Sequence, residues 1–82
     1  MDTQLAEKVR RLIEGLGLDA PEVRVMPEGR HLTAQVVSGS FEGLDEATRQ
    51  ARVWKVFDAL TDDERRRLEF IFTNAPSEMV AA

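Results

Sequence analysis

The chain has 82 residues and a net charge of −4, with 43% hydrophobic and 32% charged residues. This composition is typical of one folded globular domain, residues 1–82, and excludes a disordered chain. The sequence contains no cysteine, which excludes disulfides, thiolate nucleophiles and cysteine-ligated metal sites from the chain itself.

The sequence also limits the compartment and the partners. No stretch reaches the roughly 18 apolar residues of a transmembrane helix, and the first residues lack the basic and apolar segments of a secretory signal. We therefore expect a cytoplasmic protein with no membrane partner. The acidic net charge disfavours nonspecific binding to nucleic acid, because neutralising phosphates requires clustered lysine and arginine.

The first predicted element is an amphipathic helix over residues 3–16. Its apolar residues recur at the spacing of a single helical face, namely Leu5, Val9, Leu12, Ile13 and Leu16. Asp2 or Thr3 can cap the start of the helix, and Gly15 and Gly17 can end it.

A β-hairpin is predicted next, from alternating runs at residues 22–26 and 31–38. The residues between them, 27–30, combine a proline with a glycine two positions later, as turns do. One face of the second strand carries the apolar side chains Leu32, Ala34 and Val36. The buried face of the sheet should be built around this strand.

The second helix is predicted over residues 45–60, after a loop at residues 39–44 in which Phe41 is expected to be buried. Asp45 can cap this helix. We expect its apolar face to consist of Ala47, Ala51, Val53, Trp54, Phe57 and Leu60. We expect its solvent side to carry Arg49, Arg52, Lys55 and Asp58.

A short third helix over residues 61–67 is indicated by a capping box, in which Thr61 and Glu64 bind each other's backbone. A third strand is predicted at residues 68–73, ended by residues 75–78 and followed by a tail that forms one turn. We expect the aromatic residues of this half of the chain to lie in the core, namely Trp54, Phe57, Phe70 and Phe72.

The predicted order α–β–β–α–α–β gives an α+β fold. It is a two-layer α/β sandwich, in which helices cover one face of a three-stranded mixed sheet. The residues offer no nucleophile with a base beside it and no acid–base dyad, so we predict no enzymatic activity and no small-molecule substrate.

Several fragments, in this order and spacing, resemble the BolA-like family over nearly the whole chain. They are Gly29-Arg30-His31-Leu32, Val36-Val37-Ser38 with Phe41-Glu42-Gly43, Arg49 with Val53-Trp54, and Ile71-Phe72-Thr73 with Pro76-Ser77-Glu78. The topology that this resemblance implies is type II KH-like, the α–β–β–α–α–β order predicted above.

The resemblance implies a monothiol glutaredoxin as partner, with a [2Fe-2S] cluster held between the two proteins. In the family, one ligand is a histidine at the start of the last strand and another is a His or Cys from the hairpin. Arg67 stands at the first of these positions, and a guanidinium offers no lone pair to iron. His31 is then the one candidate metal ligand in this chain, with further ligands from the partner and no cofactor in the isolated chain.

Three interpretations follow from the resemblance. The first is a glutaredoxin partner in iron–sulfur or iron homeostasis, with a partner-binding surface at Arg30, His31, Arg67 and Glu69. The second is a DNA-binding transcriptional regulator that uses Arg49, Arg52, Lys55, Arg65 and Arg66. The third is a divergent relative that has kept only the fold.

Overall fold

The computed structural model describes residues 3–79. Its helices and strands, in chain order, are α1 (Thr3–Glu14), β1 (Glu22–Glu28), β2 (His31–Val37), α2 (Glu46–Val53), α3 (Lys55–Asp58), α4 (Asp62–Arg67) and β3 (Leu68–Asn74). Short 3-10 turns at Gly39–Phe41 and Pro76–Met79 follow β2 and β3. The predicted cap Asp2 and the end of the predicted tail, residues 80–82, lie outside the described residues.

The three strands form one mixed sheet in the order β1-β2-β3. Strand β2 pairs antiparallel with β1 and parallel with β3, which the chain reaches through the crossover α2–α4. Helix α1 packs on β1 and α2 packs on β3, so the sheet has one helix-covered face and one open face. The predicted two-layer α+β fold is confirmed.

The first helix and the hairpin follow the sequence closely. Helix α1 buries Leu5, Val9 and Ile13 and ends at Glu14, after which Gly17 adopts a left-handed backbone with φ of +76°. The hairpin pairs Glu28 with His31 across a two-residue loop, and Gly29 (φ +62°) supplies the positive φ that this loop requires.

The core lies between the helices and the sheet. It contains α1, the inward side of β2, the inward side of the α2–α3 segment, and Phe41, whose side chain is 0% exposed. Strand β2 ends at Val37, and Ser38 caps the 3-10 turn that follows: its Oγ accepts from the Ser40 N–H at 3.1 Å and donates to the Asp19 carbonyl at 2.7 Å. The prediction that Phe41 is buried is confirmed.

The predicted second helix differs from the structure in continuity and in its buried face. It breaks at Trp54 into α2 and α3, and Trp54 is 58% exposed. The residues that face inward are Arg49, Val53, Val56 and Leu60. Their spacing of four, three and four residues defines one helical face, whereas Ala47 and Ala51 belong to the opposite, exposed one.

The predicted burial of Phe70 and Phe72 is wrong, because β3 contains a bulge. Leu68 pairs with Leu32 and Phe70 pairs with Thr33, which leaves Glu69 as an extra residue. One extra residue reverses the alternation of all that follow, so the two phenylalanines point to the open face and are 41% and 47% exposed. Leu68, Ile71 and Thr73 are buried instead.

Candidate functional site

Four residues predicted to bind a partner, Arg30, His31, Arg67 and Glu69, are brought together at one end of the sheet. We call them the hairpin surface. Helix α4 runs directly into β3, and β3 lies parallel to β2. The start of β3 therefore lies beside the start of β2, which is the hairpin turn. Residues 37 positions apart in sequence become neighbours in this way.

Solvent-exposed contacts join the members of the hairpin surface. Arg67 Nε donates a hydrogen bond of 3.1 Å to the carbonyl of Arg30. His31 Nδ1 lies 3.5 Å from Glu69 Oε1, and these two side chains are 51% and 53% exposed. A separation of 3.5 Å exceeds that of a strong hydrogen bond, and an exposed pair of this kind stabilises a fold by only about 0–1 kcal/mol.

The donors at the hairpin surface do not fit the cluster ligation that the resemblance implies. His31 is the chain's one histidine, and Arg67 stands where a second nitrogen ligand is required. Within residues 3–79, no group of three or more His, Cys, Asp or Glu side chains is arranged to hold a metal ion. This chain therefore offers one imidazole, which already faces the Glu69 carboxylate.

Arg49, predicted to face solvent and proposed as a nucleic-acid contact, is buried instead. Its side chain is 9% exposed. The guanidinium forms two hydrogen bonds of 2.7 Å to the carboxylate of Glu78, and its Nε donates to the Leu44 carbonyl at 2.9 Å. All three contacts are internal, so Arg49 is removed from the set of candidate phosphate contacts.

The Arg49–Glu78 pair fixes the chain after β3, and we call it the C-terminal junction. Glu78 Oε1 also accepts from the backbone N–H of Ala75, which orients the Pro76–Met79 turn. The hydrogen bonds from Arg49 and from that N–H lower the pKa of Glu78 from its ordinary 4.5 to about 2, and Glu78 raises the pKa of Arg49. Sequence reasoning had assigned no role to Glu78.

The other arginines among the candidate nucleic-acid contacts remain at the surface. Arg65 Nε donates to the Phe57 carbonyl at 2.7 Å, and its Nη1 lies 3.9 Å from Asp62 Oδ1. Arg66 Nε reaches the Asp62 carbonyl at 3.3 Å, and Arg52 Nη1 the Ser40 carbonyl at 3.5 Å. The capping-box residue Glu64 instead pairs with Lys8 of α1 at 2.8 Å, and this contact lowers its pKa.

The comparisons with known proteins concern the fold. No family model matches the sequence, and no curated protein matches it. The structure is similar to BolA1 from Arabidopsis thaliana, with a TM-score of 0.65 and 21% sequence identity over 90% of this chain and 94% of that one. The chain has a BolA-like fold, as predicted. No helix within residues 3–79 is long and apolar enough to cross a membrane.

Proposed function

We propose that this chain is a non-enzymatic BolA-like interaction module that binds a monothiol glutaredoxin through the hairpin surface. The proposal is supported by the BolA-like fold, by the sequence fragments that resemble the family, and by the side chains gathered at the start of β3. A cytoplasmic site of action and a role in iron homeostasis are parts of the same proposal.

The observation that carries the proposal is the adjacency of the hairpin turn and the α4–β3 junction. Together they present two arginines, one histidine and one glutamate, and the His31 and Glu69 side chains are about half exposed and lie 3.5 Å apart. Exposed polar groups held at this distance, as His31 and Glu69 are, can exchange partners when a complementary surface arrives. They lose little internal stabilisation when they do so.

We propose that this complex forms without the shared [2Fe-2S] cluster that the resemblance implies. Arg67 cannot coordinate iron, and one imidazole does not replace the missing donor. The hairpin surface would then bind the glutaredoxin by surface contacts alone. His31 and Arg67 act in this complex as donors of hydrogen bonds and charge.

Calorimetric titration of cluster-free monothiol glutaredoxin into this chain tests the proposal. We expect a one-to-one complex whose Kd rises at least about tenfold in Arg67→Glu, because the substitution removes the guanidinium donors and reverses the charge at this surface. The matched control is Arg24→Glu, which makes the same charge change at an exposed position on β1. An unchanged Kd in Arg67→Glu, or no complex at all, would overturn the proposal.

The DNA-binding alternative has less support than the sequence alone indicated. Arg49 is enclosed in the C-terminal junction, and Arg52, Lys55, Arg65 and Arg66 remain as candidates on an acidic chain. A duplex affinity that falls steeply with added salt would favour this alternative. A chain that binds neither glutaredoxin nor DNA would favour a relative that has kept only the fold.

A further inference from the structure

A second surface, separate from the hairpin surface, surrounds the exposed tryptophan. Ala47, Ala51 and Trp54 follow one another at helical spacing on the solvent side of α2, and all three are exposed. Trp54 is the chain's one tryptophan, and at 58% it is the most exposed of the large hydrophobic residues described. Tryptophan is enriched among the residues that dominate binding energy at protein interfaces.

The Trp54 side chain is supported by its contact with Phe57. Its ring packs on Phe57 with centroids 5.2 Å apart and an interplanar angle of 35°. Phe57 is half-buried and packs on the core. A shallow groove between this region and α4 is lined by Ala51, Trp54, Lys55, Phe57, Asp58 and Arg65. The indole therefore has a supported inner side and a free outer side.

The rim of this groove is basic although the chain as a whole is acidic. Lys55 and Arg65 line the groove together with the indole, and Arg52 is exposed on α2. Lys55 makes no ion pair with any residue between 3 and 79. The ion pair of Arg65 is long, with Nη1 lying 3.9 Å from Asp62 Oδ1. Asp58 is the single acidic residue of the lining. We call this groove and its rim the Trp54 patch.

We propose that the Trp54 patch binds an acidic, amphipathic helical segment of a partner protein. The indole supplies an apolar anchor, and the two alanines allow a helix backbone to approach α2 closely. Lys55 and Arg65 supply charge complementary to acidic side chains beside that apolar stripe. A nucleic acid fits less well, because Ala47 and Ala51 beside the indole offer no hydrogen-bond donor to a phosphate, whereas they suit the apolar stripe of a helix. This proposal does not depend on the glutaredoxin proposal.

The intrinsic fluorescence of Trp54 tests the proposal directly. The probe is a synthetic helical peptide of roughly 18 residues, long enough to be helical in water, with leucine on one face and glutamate on the other. We expect a blue shift of the Trp54 emission that saturates, because the bound helix removes the indole from water. The same peptide with lysine in place of glutamate should give no shift.

Charge-reversed variants separate a docking site from nonspecific attraction. In Lys55→Glu/Arg65→Glu the acidic peptide should bind at least about tenfold more weakly and the lysine peptide should bind instead. Arg24→Glu, on β1, should leave the wild-type result unchanged. The proposal would be overturned by an equal response to both peptides, by no response to the acidic one, or by a single-stranded oligonucleotide that quenches Trp54 where the acidic peptide does not.

Discussion

A basic side chain contacts a glutamate near each end of β3, and the two contacts differ in distance and in the burial of the basic partner. At its end, the Arg49 guanidinium is 9% exposed and donates two bonds of 2.7 Å to Glu78. At its start, His31 and Glu69 are about half exposed and lie 3.5 Å apart. The Arg49 guanidinium is buried and binds Glu78 through two hydrogen bonds, so this pair resists separation although the Glu78 side chain is 42% exposed. An exposed and distant pair separates at little cost. The C-terminal junction therefore serves the fold, and the hairpin surface is available to a partner.

Of the two pairs, Arg49–Glu78 should make the larger contribution to stability. Arg49→Ala removes the partner of Glu78 and the donor to the Leu44 carbonyl, so we expect the melting temperature to fall by roughly 10 °C or more. Thermal denaturation followed by circular dichroism measures this. The control is His31→Ala, which removes the other pair and should change the melting temperature by only a few degrees. Equal effects of the two variants would contradict the contrast between the two ends.

The pH dependence of stability sharpens the same contrast. The pKa of Glu78 is about 2 in the folded chain, below its ordinary 4.5, because Arg49 and the Ala75 N–H bind the carboxylate. The stabilisation is therefore complete above pH 4.5 and is lost as the pH falls towards 2. Urea denaturation between pH 7 and pH 2 should show this loss, and Glu78→Gln should reduce it. If the variant's pH profile matched that of the wild type, the assigned role of Glu78 would be wrong.

Restoring a donor at the start of β3 should change the chemistry of the hairpin surface. Arg67→His supplies the nitrogen ligand that the family resemblance places there, beside His31. On anaerobic addition to cluster-loaded monothiol glutaredoxin, we expect the variant to alter the visible circular dichroism and the wild-type chain to leave it unchanged. His31→Ala/Arg67→His should lose the effect. A wild-type chain that alters the spectrum through His31 would show that Arg67 is tolerated in a shared cluster.

The smallest effect on stability is expected for Phe72, which lies between the two ends of β3 on the open face of the sheet. Phe72 is 47% exposed and packs edge-to-face on Phe70 with ring centroids 4.9 Å apart. Phe72→Thr should lower the free energy of unfolding by less than about 1 kcal/mol. Ile71→Ala, one position away and buried, should lower it by about 2–5 kcal/mol. Urea denaturation of both variants distinguishes the bulged register from regular alternation, which would reverse their order.

The sequence predicts correctly those elements that depend on residues close together in the chain. The first helix, the hairpin turn at Gly29, the Asp45 cap and the capping box at Thr61 and Glu64 depend on residues a few positions apart, and all are present in the structure. Such elements need only the apolar period and the chemistry of nearby side chains.

The failures of prediction arise from contacts between distant segments. The inward position of Arg49 depends on Glu78, 29 residues away, so a basic residue in a helix was assigned to solvent. The exposure of Phe70 and Phe72 depends on the extra residue Glu69 in the pairing with β2. An alternating sequence does not reveal where such a bulge lies. The grouping of the hairpin surface followed from the resemblance, and its role in binding stays a prediction.

Chemical-shift mapping tests most directly whether the partner binds at the start of β3. Cluster-free monothiol glutaredoxin is added to the 15N-labelled chain, and the amide shifts of the two ends are compared. We expect the largest shift changes at residues 29–32 and 66–70, with the amides of residues 45–49 and 74–78 unchanged. Changes concentrated at the C-terminal junction, or at residues 51–58 of the Trp54 patch, with the hairpin surface unchanged, would contradict this expectation.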